Sequence, residues 1–211
     1  MCSCYIDHIA ITARSLKIGV EYVQNILGVH LQQGGDHHQM GTHNYLLKLG
    51  ETVYLEVIAV NPHAEAPSRP RWFNLDQQPE DEAPRLATWI VRSEDIRSTL
   101  QQCTIPLGNI KPMSRGYLRW LITIPEDDSL PCDGVAPTLI EWNTSKHPAS
   151  TLKDSGCSLV KLEGFHPEAK KISEMLNSIG FVGDFSVHPL DSGTQPYLVA
   201  QIFTSSGIVQ L

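Results

Sequence analysis

The chain has 211 residues, 41% of them apolar and 18% charged, with a formal net charge of −7. A chain of this length buries a substantial core as one large domain or two small ones, and the composition is that of an ordinary globular protein. The acidic balance and singly scattered Lys and Arg exclude a counterion-releasing nucleic-acid patch or an anionic membrane surface, and no apolar run approaches the ~18 residues of a transmembrane span.

The first residues, "MCSCYIDHIAI", lack the basic-then-apolar layout of a signal peptide, which predicts a cytoplasmic protein. Cys2 and Cys4 form C-x-C, while Cys103, Cys132 and Cys157 stand alone, so no zinc-finger spacing exists and reduced, mostly buried thiols are expected.

"YIDHIAIT" alternates as a strand, with Ile9 and Ile11 on one side and His8, Ala10 and Thr12 on the other. "SLKIGVEYVQNILG" reads as a helix capped by Ser15 and closed by Gly28. "VHLQQGG", "NYLLKLG" and "TVYLEVIAV" follow as three strands, with Gly34 and Gly35 read as a sharp turn. A proline-rich connection, "NPHAEAPSRPRWFNLDQQPEDEAP", comes next, and Trp72 and Phe73 within it predict a segment that packs down. The pattern then repeats. "LATWIVR" is a strand, "SEDIRSTLQQC" a helix with Ser93 as its cap, and "GNIKP", "GYLRWLITI" and "PTLIEWN" are three more strands. A third round, strand "CSLVKLEGF", helix "HPEAKKISEMLNSIG" starting at Pro167, and strands "VGDFSVHP", "YLVAQIF" and "GIVQL", predicts an additional βαβ-type module over 151–211. The expected fold is therefore α+β: two βαβββ modules, about 5–60 and 85–143, within a domain spanning 1–150, and a smaller C-terminal region.

The segments "DHIAITARSL", "GGDHHQMGTHN", "YLEVIAV", "RPRWFNLD", "GYLRWLITIPED", "PTLIEW" and "KHP", in that order, resemble the glyoxalase-like domain family of the vicinal oxygen chelate superfamily. The resemblance covers roughly residues 5 to 150. It implies paired modules closed into a cupped, barrel-like mixed sheet with a divalent metal inside. Residue by residue, it implies metal ligands at His8, Glu56 and Glu141, with Thr88 at the position of a fourth ligand. Thr88 departs from the liganded pattern.

Facing supports that set. If Ile9 and Ile11, Leu55 and Val57, and Ile140 and Trp142 face the helices, then His8, Glu56 and Glu141 face the concave side. One nitrogen and two oxygens suit zinc, manganese, nickel or ferrous iron with an open position for substrate. The competing reading is a hydrogen-bonded core histidine with its inward carboxylates paired to Arg119 or a tyrosine. In the tract "GGDHHQMGTHN", His37, His43 and Asn44 are expected to line the cavity and bind substrate, while His38 is expected in solvent. A less favoured alternative has His43 as a substitute for the ligand missing at Thr88. Arg119 and Trp120 alternate, so one faces inward; if it is Arg119, it holds a substrate carboxylate or pairs with Glu141, and His147 either reaches the cup mouth to bind substrate or serves as a turn cap.

Two functions follow. One is a metal-dependent lyase or isomerase acting on a carbonyl compound, with Glu56 or Glu141 as proton shuttle and a dioxygenase less favoured. The other is a metal-free protein that binds or sequesters a small molecule. Both imply a small-molecule ligand, no nucleic-acid or membrane partner, and a monomer or homodimer.

Overall fold

The computed structural model describes residues 3–79, 81–144 and 146–211; Cys2, Glu80 and Ser145 of the stretches above lie outside the described residues. The first module contains β1 (Tyr5–Thr12), α1 (Leu16–Leu27), β2 (Gln32–His37), β3 (Thr42–Lys48) and β4 (Tyr54–Val60). The second contains β5 (Arg85–Arg92), α2 (Ile96–Gln102), β6 (Asn109–Arg115), β7 (Leu118–Ile124) and β8 (Thr138–Trp142). Their strands form one mixed sheet in the order β2-β3-β4-β1-β5-β8-β7-β6, so each module reads identically outward from the β1–β5 seam. Ile9 pairs with Trp89 at that seam, which makes the modules related by a local two-fold axis through the pair. The sheet curls until its ends meet: Ser114 N donates to Gln39 Oε1 at 3.2 Å, and Arg115 packs against Gly35.

Local signals explain most elements. The Ser15 hydroxyl accepts from Ile18 N, and Gly28 ends α1 at φ 69°, a left-handed conformation that favours glycine. At α2 the cap is Asp95, which accepts from Ser98 N, rather than Ser93; the Ser93 hydroxyl instead accepts from Asp95 N and bonds Thr99. Gly34 and Gly35 lie within β2 and not at a turn. Their reason is close approach, since a Cβ on Gly34 would sit 2.0 Å from the Asn44 side-chain oxygen.

The C-terminal part contains β9 (Ser158–His166), α3 (Ala169–Ser178), β10 (Phe185–Pro189), β11 (Tyr197–Thr204) and β12 (Gly207–Gln210), with Glu168 rather than Pro167 at the helix start. Its sheet runs β10-β9-β11-β12, and β10 returns parallel beside β9, so the wiring differs from that of the two modules. This unit covers the convex face of the large sheet. Trp89 is fully buried there, stacked on Phe185 at 4.3 Å, with its indole N–H donated to Val135 O at 2.9 Å. Ile172, Met175, Leu198 and Ile202 join Ile9, Ile11, Val57 and Leu139 in one continuous core. A second core cluster fills part of the concave side, including Ile58, Ile90, Trp120, Ile122 and Ile140, and Trp72 and Phe73 of the connection close over it. No helix among the described residues is long and apolar enough to cross a membrane.

Candidate active site in the cup

The concave side carries a buried chain of polar groups contributed almost entirely by the first module. It starts at a β-bulge: Ile6 pairs with Val91 and His8 with Ile90, leaving Asp7 as an extra residue. A bulge breaks the strict alternation of a strand, so adjacent Asp7 and His8 can reach the same polar cluster. Asp7 Oδ1 lies 2.6 Å from His8 Nδ1, while Asp7 Oδ2 accepts from Trp142 Nε1 at 2.9 Å and lies 2.8 Å from His147 Nε2. His8 presents Nε2 to Glu56 Oε2 at 3.6 Å and stacks on Tyr54, ring centroids 4.4 Å apart. The other Glu56 oxygen accepts from Asn44 Nδ2. Asn44 Oδ1 accepts from Arg115 Nη1 at 2.9 Å and from Gly35 N at 3.0 Å, which is why Gly34 has no room for a side chain. Arg115 Nη1 also approaches His37 Nε2 at 3.2 Å, and His37 Nδ1 meets the Thr42 hydroxyl.

Charge is arranged along this chain. Burial disfavours ionisation of Asp7, but its bonds to His147 and His8 outweigh that and hold the carboxyl well below the usual carboxylate range. Burial likewise opposes the charge on His8, yet the Asp7 and Glu56 carboxylates win and raise it to about 9. Burial pushes Glu56 up, and His8, His37 and Asn44 more than compensate, bringing it to about 2. His37 goes the other way: burial, with further help from Arg115, lowers it to about 4. At neutral pH the site therefore holds an imidazolium at His8 between two carboxylates, and a neutral imidazole at His37 beside a guanidinium.

Above these groups Trp72, Phe73, Trp120 and Trp142 form an aromatic roof. The free space left beneath it is about 30 Å³, enough for one or two waters. Trp72 is 4% exposed and its indole N–H has no hydrogen-bond partner among the described residues. A buried donor left unmade costs on the order of 1–3 kcal/mol. Phe73 and Asn74 both sit at φ 58°, a strained conformation for residues with side chains. The segment is held by Arg69 on Asp128 at 2.7 Å, by Asn74 N on Asp128 O at 3.2 Å, and by Arg71 on Asp76.

His8, Glu56, His37 and Asn44 are thus brought together, and His38 is exposed as expected. Three other expectations are corrected by strand alternation. In β8 the residues facing the cup are Ile140 and Trp142, so Glu141 points to the convex side, where Oε2 accepts from Ile96 N at 2.8 Å at the start of α2. In β3 Asn44 faces the cup, so its neighbour His43 does not, and His43 is only half-buried. In β7 Trp120 faces inward, while Arg119 is exposed and donates to Gly116 O and Leu118 O. His147 lies against Asp7 through Nε2 at 2.8 Å, and its Nδ1 accepts from Ala149 N at the turn that follows. The facing of β8 was unreadable because both of its sides carry apolar residues. Asp7 was hidden by the bulge and Arg115 by its place at the end of a strand. Asn44, paired with a double glycine, was the local signal that could have led to it.

The two-fold axis identifies the true counterparts. His8 maps to Thr88 about the Ile9–Trp89 pair, and Glu56, which pairs with Ala10, maps to Thr138, which pairs with Ile90. The second module therefore supplies two buried threonines where the first supplies an imidazole and a carboxylate. Among the described residues no group of three or more His, Cys, Asp or Glu is placed to hold a metal ion. Asp7 orients His8 as a carboxylate orients a metal-ligating histidine. Glu56 lies beside Nε2 at 3.6 Å but Glu141 is bonded to Ile96 N on the other face of the sheet, so the set His8, Glu56 and Glu141 does not fit a chelated divalent zinc, manganese, nickel or iron ion.

The sequence matches the glyoxalase-like domain over residues 6–180. A search of the curated proteins returns no match. Among solved structures, a hypothetical protein from Staphylococcus aureus superposes with a TM-score of 0.58 at 15% identity, covering 98% of this chain and 84% of that one. A methylmalonyl-CoA epimerase of Streptomyces coelicolor, in complex with 2-nitronate-propionyl-CoA, has a TM-score of 0.45 at 16% identity and covers 66% of this chain and 97% of its own. The Mycobacterium tuberculosis methylmalonyl-CoA epimerase has a TM-score of 0.41 at 16% identity, with 69% and 91% covered. With its family match and its paired-module cup, the chain belongs to the glyoxalase-like domain family of the vicinal oxygen chelate superfamily.

Proposed function

We propose that the cup binds a small carbonyl compound and that Glu56 and His8 exchange a proton with the carbon next to its carbonyl, as in an isomerase or lyase. The observation that carries this reading is the buried Asp7–His8–Glu56 chain, which ends in a carboxylate and an imidazolium under an aromatic roof. Glu56 takes the proton from the carbon, and the negative charge passes to the carbonyl oxygen. The His8 imidazolium, held by Asp7, stabilises that oxygen, and the Trp72 N–H supplies a second donor. Return of the proton to a different face or atom completes an isomerisation; expulsion of a neighbouring group completes an elimination. Arg115 offers a guanidinium to a carboxylate on the same substrate. The free space is smaller than any such substrate, so the segment carrying Trp72 and Phe73 opens on binding.

A second reading is binding without chemistry, favoured by the four aromatic rings that wall the cup. Hydrogen–deuterium exchange separates the two. Small 2-oxoacids and α-hydroxyketones incubated in D2O with the protein exchange their α-hydrogen, read by NMR, and Glu56→Gln removes that exchange. Binding without exchange in any of these compounds leaves only sequestration. The free thiols of Cys103, Cys132 and Cys157 support placing the protein in a reducing, cytoplasmic compartment.

A further inference from the structure

A second, largely apolar cavity lies away from the cup. Where the start of β1 and the β3–β4 turn meet the C-terminal unit, a groove of about 400 Å³ opens, within the range of small-molecule sites. Ile6, Leu49, Val53, Leu159, Val160 and Val182 line it. Tyr5, Val160 and Val182, which also border it, are 45%, 38% and 53% exposed, so three of the protein's large exposed apolar side chains gather at one place. Scattered singly, such residues need no explanation; gathered around a cavity they mark a binding surface.

Two features show that the wall is built. Gln201 pairs with Lys161 and Ile202 with Leu159, so Val160 is a bulged residue of β9 with no partner on β11. Bulges re-aim side chains, and this one adds an apolar side chain to the groove wall. The second feature is Arg92, among the described residues the one cationic residue lining the groove. Its guanidinium makes no hydrogen bond to any described residue. Its nearest acid is Asp7 at 3.9 Å, beyond hydrogen-bond reach and already occupied by three other donors. The planar guanidinium is thus available for two-point recognition of a carboxylate. Asp184 also lines the groove, but it is exposed and makes no ion pair with Arg92.

The geometry points to a second small-molecule site in this groove, taking an amphiphilic monocarboxylate whose apolar body lies along Ile6, Val53 and Val160 and whose carboxylate pairs with Arg92. The site is separate from the cup and does not rest on the reading of the cup.

Octanoate is the probe, with octanol and octyltrimethylammonium as the neutral and cationic counterparts, titrated into the full chain and followed by calorimetry and by NMR. Octanoate binds saturably, at least tenfold tighter than octanol. Arg92→Gln weakens it at least tenfold, and Val160→Trp, a surface change that fills the groove, abolishes it. Glu56→Gln leaves octanoate affinity unchanged. Equal binding of octanoate to wild type and Val160→Trp overturns the proposal. So does tighter binding of octyltrimethylammonium than of octanoate, loss of octanoate binding in Glu56→Gln, or no saturable octanoate binding at all.

Discussion

The two modules share element order, sheet order and a local two-fold axis, yet they do opposite work in the cup. The first carries Asp7, His8, Asn44 and Glu56; the second offers Thr88 and Thr138 at the related positions and otherwise packs the cup with Trp120, Ile122 and Ile140. A duplicated scaffold therefore does not imply a duplicated site. One half keeps buried charge, which is tolerable because each charged group is paired and hydrogen-bonded. The other half, apart from Arg115 and the Trp142 N–H, is apolar core, and it makes the environment of those charges dry.

Several substitutions break or sharpen that asymmetry. Glu56→Gln should lower α-hydrogen exchange by about 100- to 10,000-fold, the usual span for a lost general base, while the twin change Thr138→Val should leave the rate within a few-fold. Asp7→Ala should destabilise the fold by about 3–5 kcal/mol in urea unfolding, because it strands His8, His147 and the Trp142 N–H; Thr88→Val should cost far less. The reverse experiment restores symmetry: Thr88→His with Thr138→Glu places a second imidazole and carboxylate opposite His8 and Glu56. That double variant should gain a zinc-dependent rise in melting temperature, whereas the wild type should show none.

The pH dependence follows from the pairing. His8 is raised to about 9, so its stabilisation is complete below its ordinary value of 6.5 and is lost as pH rises through 9. Glu56, held near 2, contributes above its ordinary 4.5 and loses that contribution as pH falls towards 2. His37, lowered to about 4, stays neutral in the fold while the unfolded chain takes up a proton, so stability also falls as pH drops from 6.5 to 4. Thermal unfolding should peak near pH 6.5, and His8→Asn should remove the alkaline decline. The smallest effect belongs to the convex side: Glu141→Ala should cost about 0.5–2 kcal/mol through the lost bond to the start of α2, with exchange in the cup unaltered.

How much of this was legible follows from where each signal lives. In β1 and β4, Ile9 and Ile11 with Leu55 and Val57 make one side apolar, which puts His8 and Glu56 on the other side, where the structure has them lining the cup. In β8 "TLIEW" is apolar on both faces, since one packs the convex core and the other the cup, so the period-2 pattern carries no direction there. The glycine pair at 34 and 35 signalled a backbone constraint, but whether a turn or a neighbouring side chain imposed it depended on Asn44 across the strands. The connection's Trp72 and Phe73 announced packing, and their place over the cup required the sheet to have curled first.

By itself the sequence determined the element order, the repeat, the helix ends at Ser15 and Gly28, and the polar face of the first module, because each depends on residues close together in the chain. Only the tertiary structure decided that Asp7 joins His8 through a bulge, that Arg115 rather than Arg119 supplies the cation, and that Glu141 accepts from the first N–H of α2. Each of those depends on register between strands, where a shift of one residue moves a side chain to the other face of the sheet.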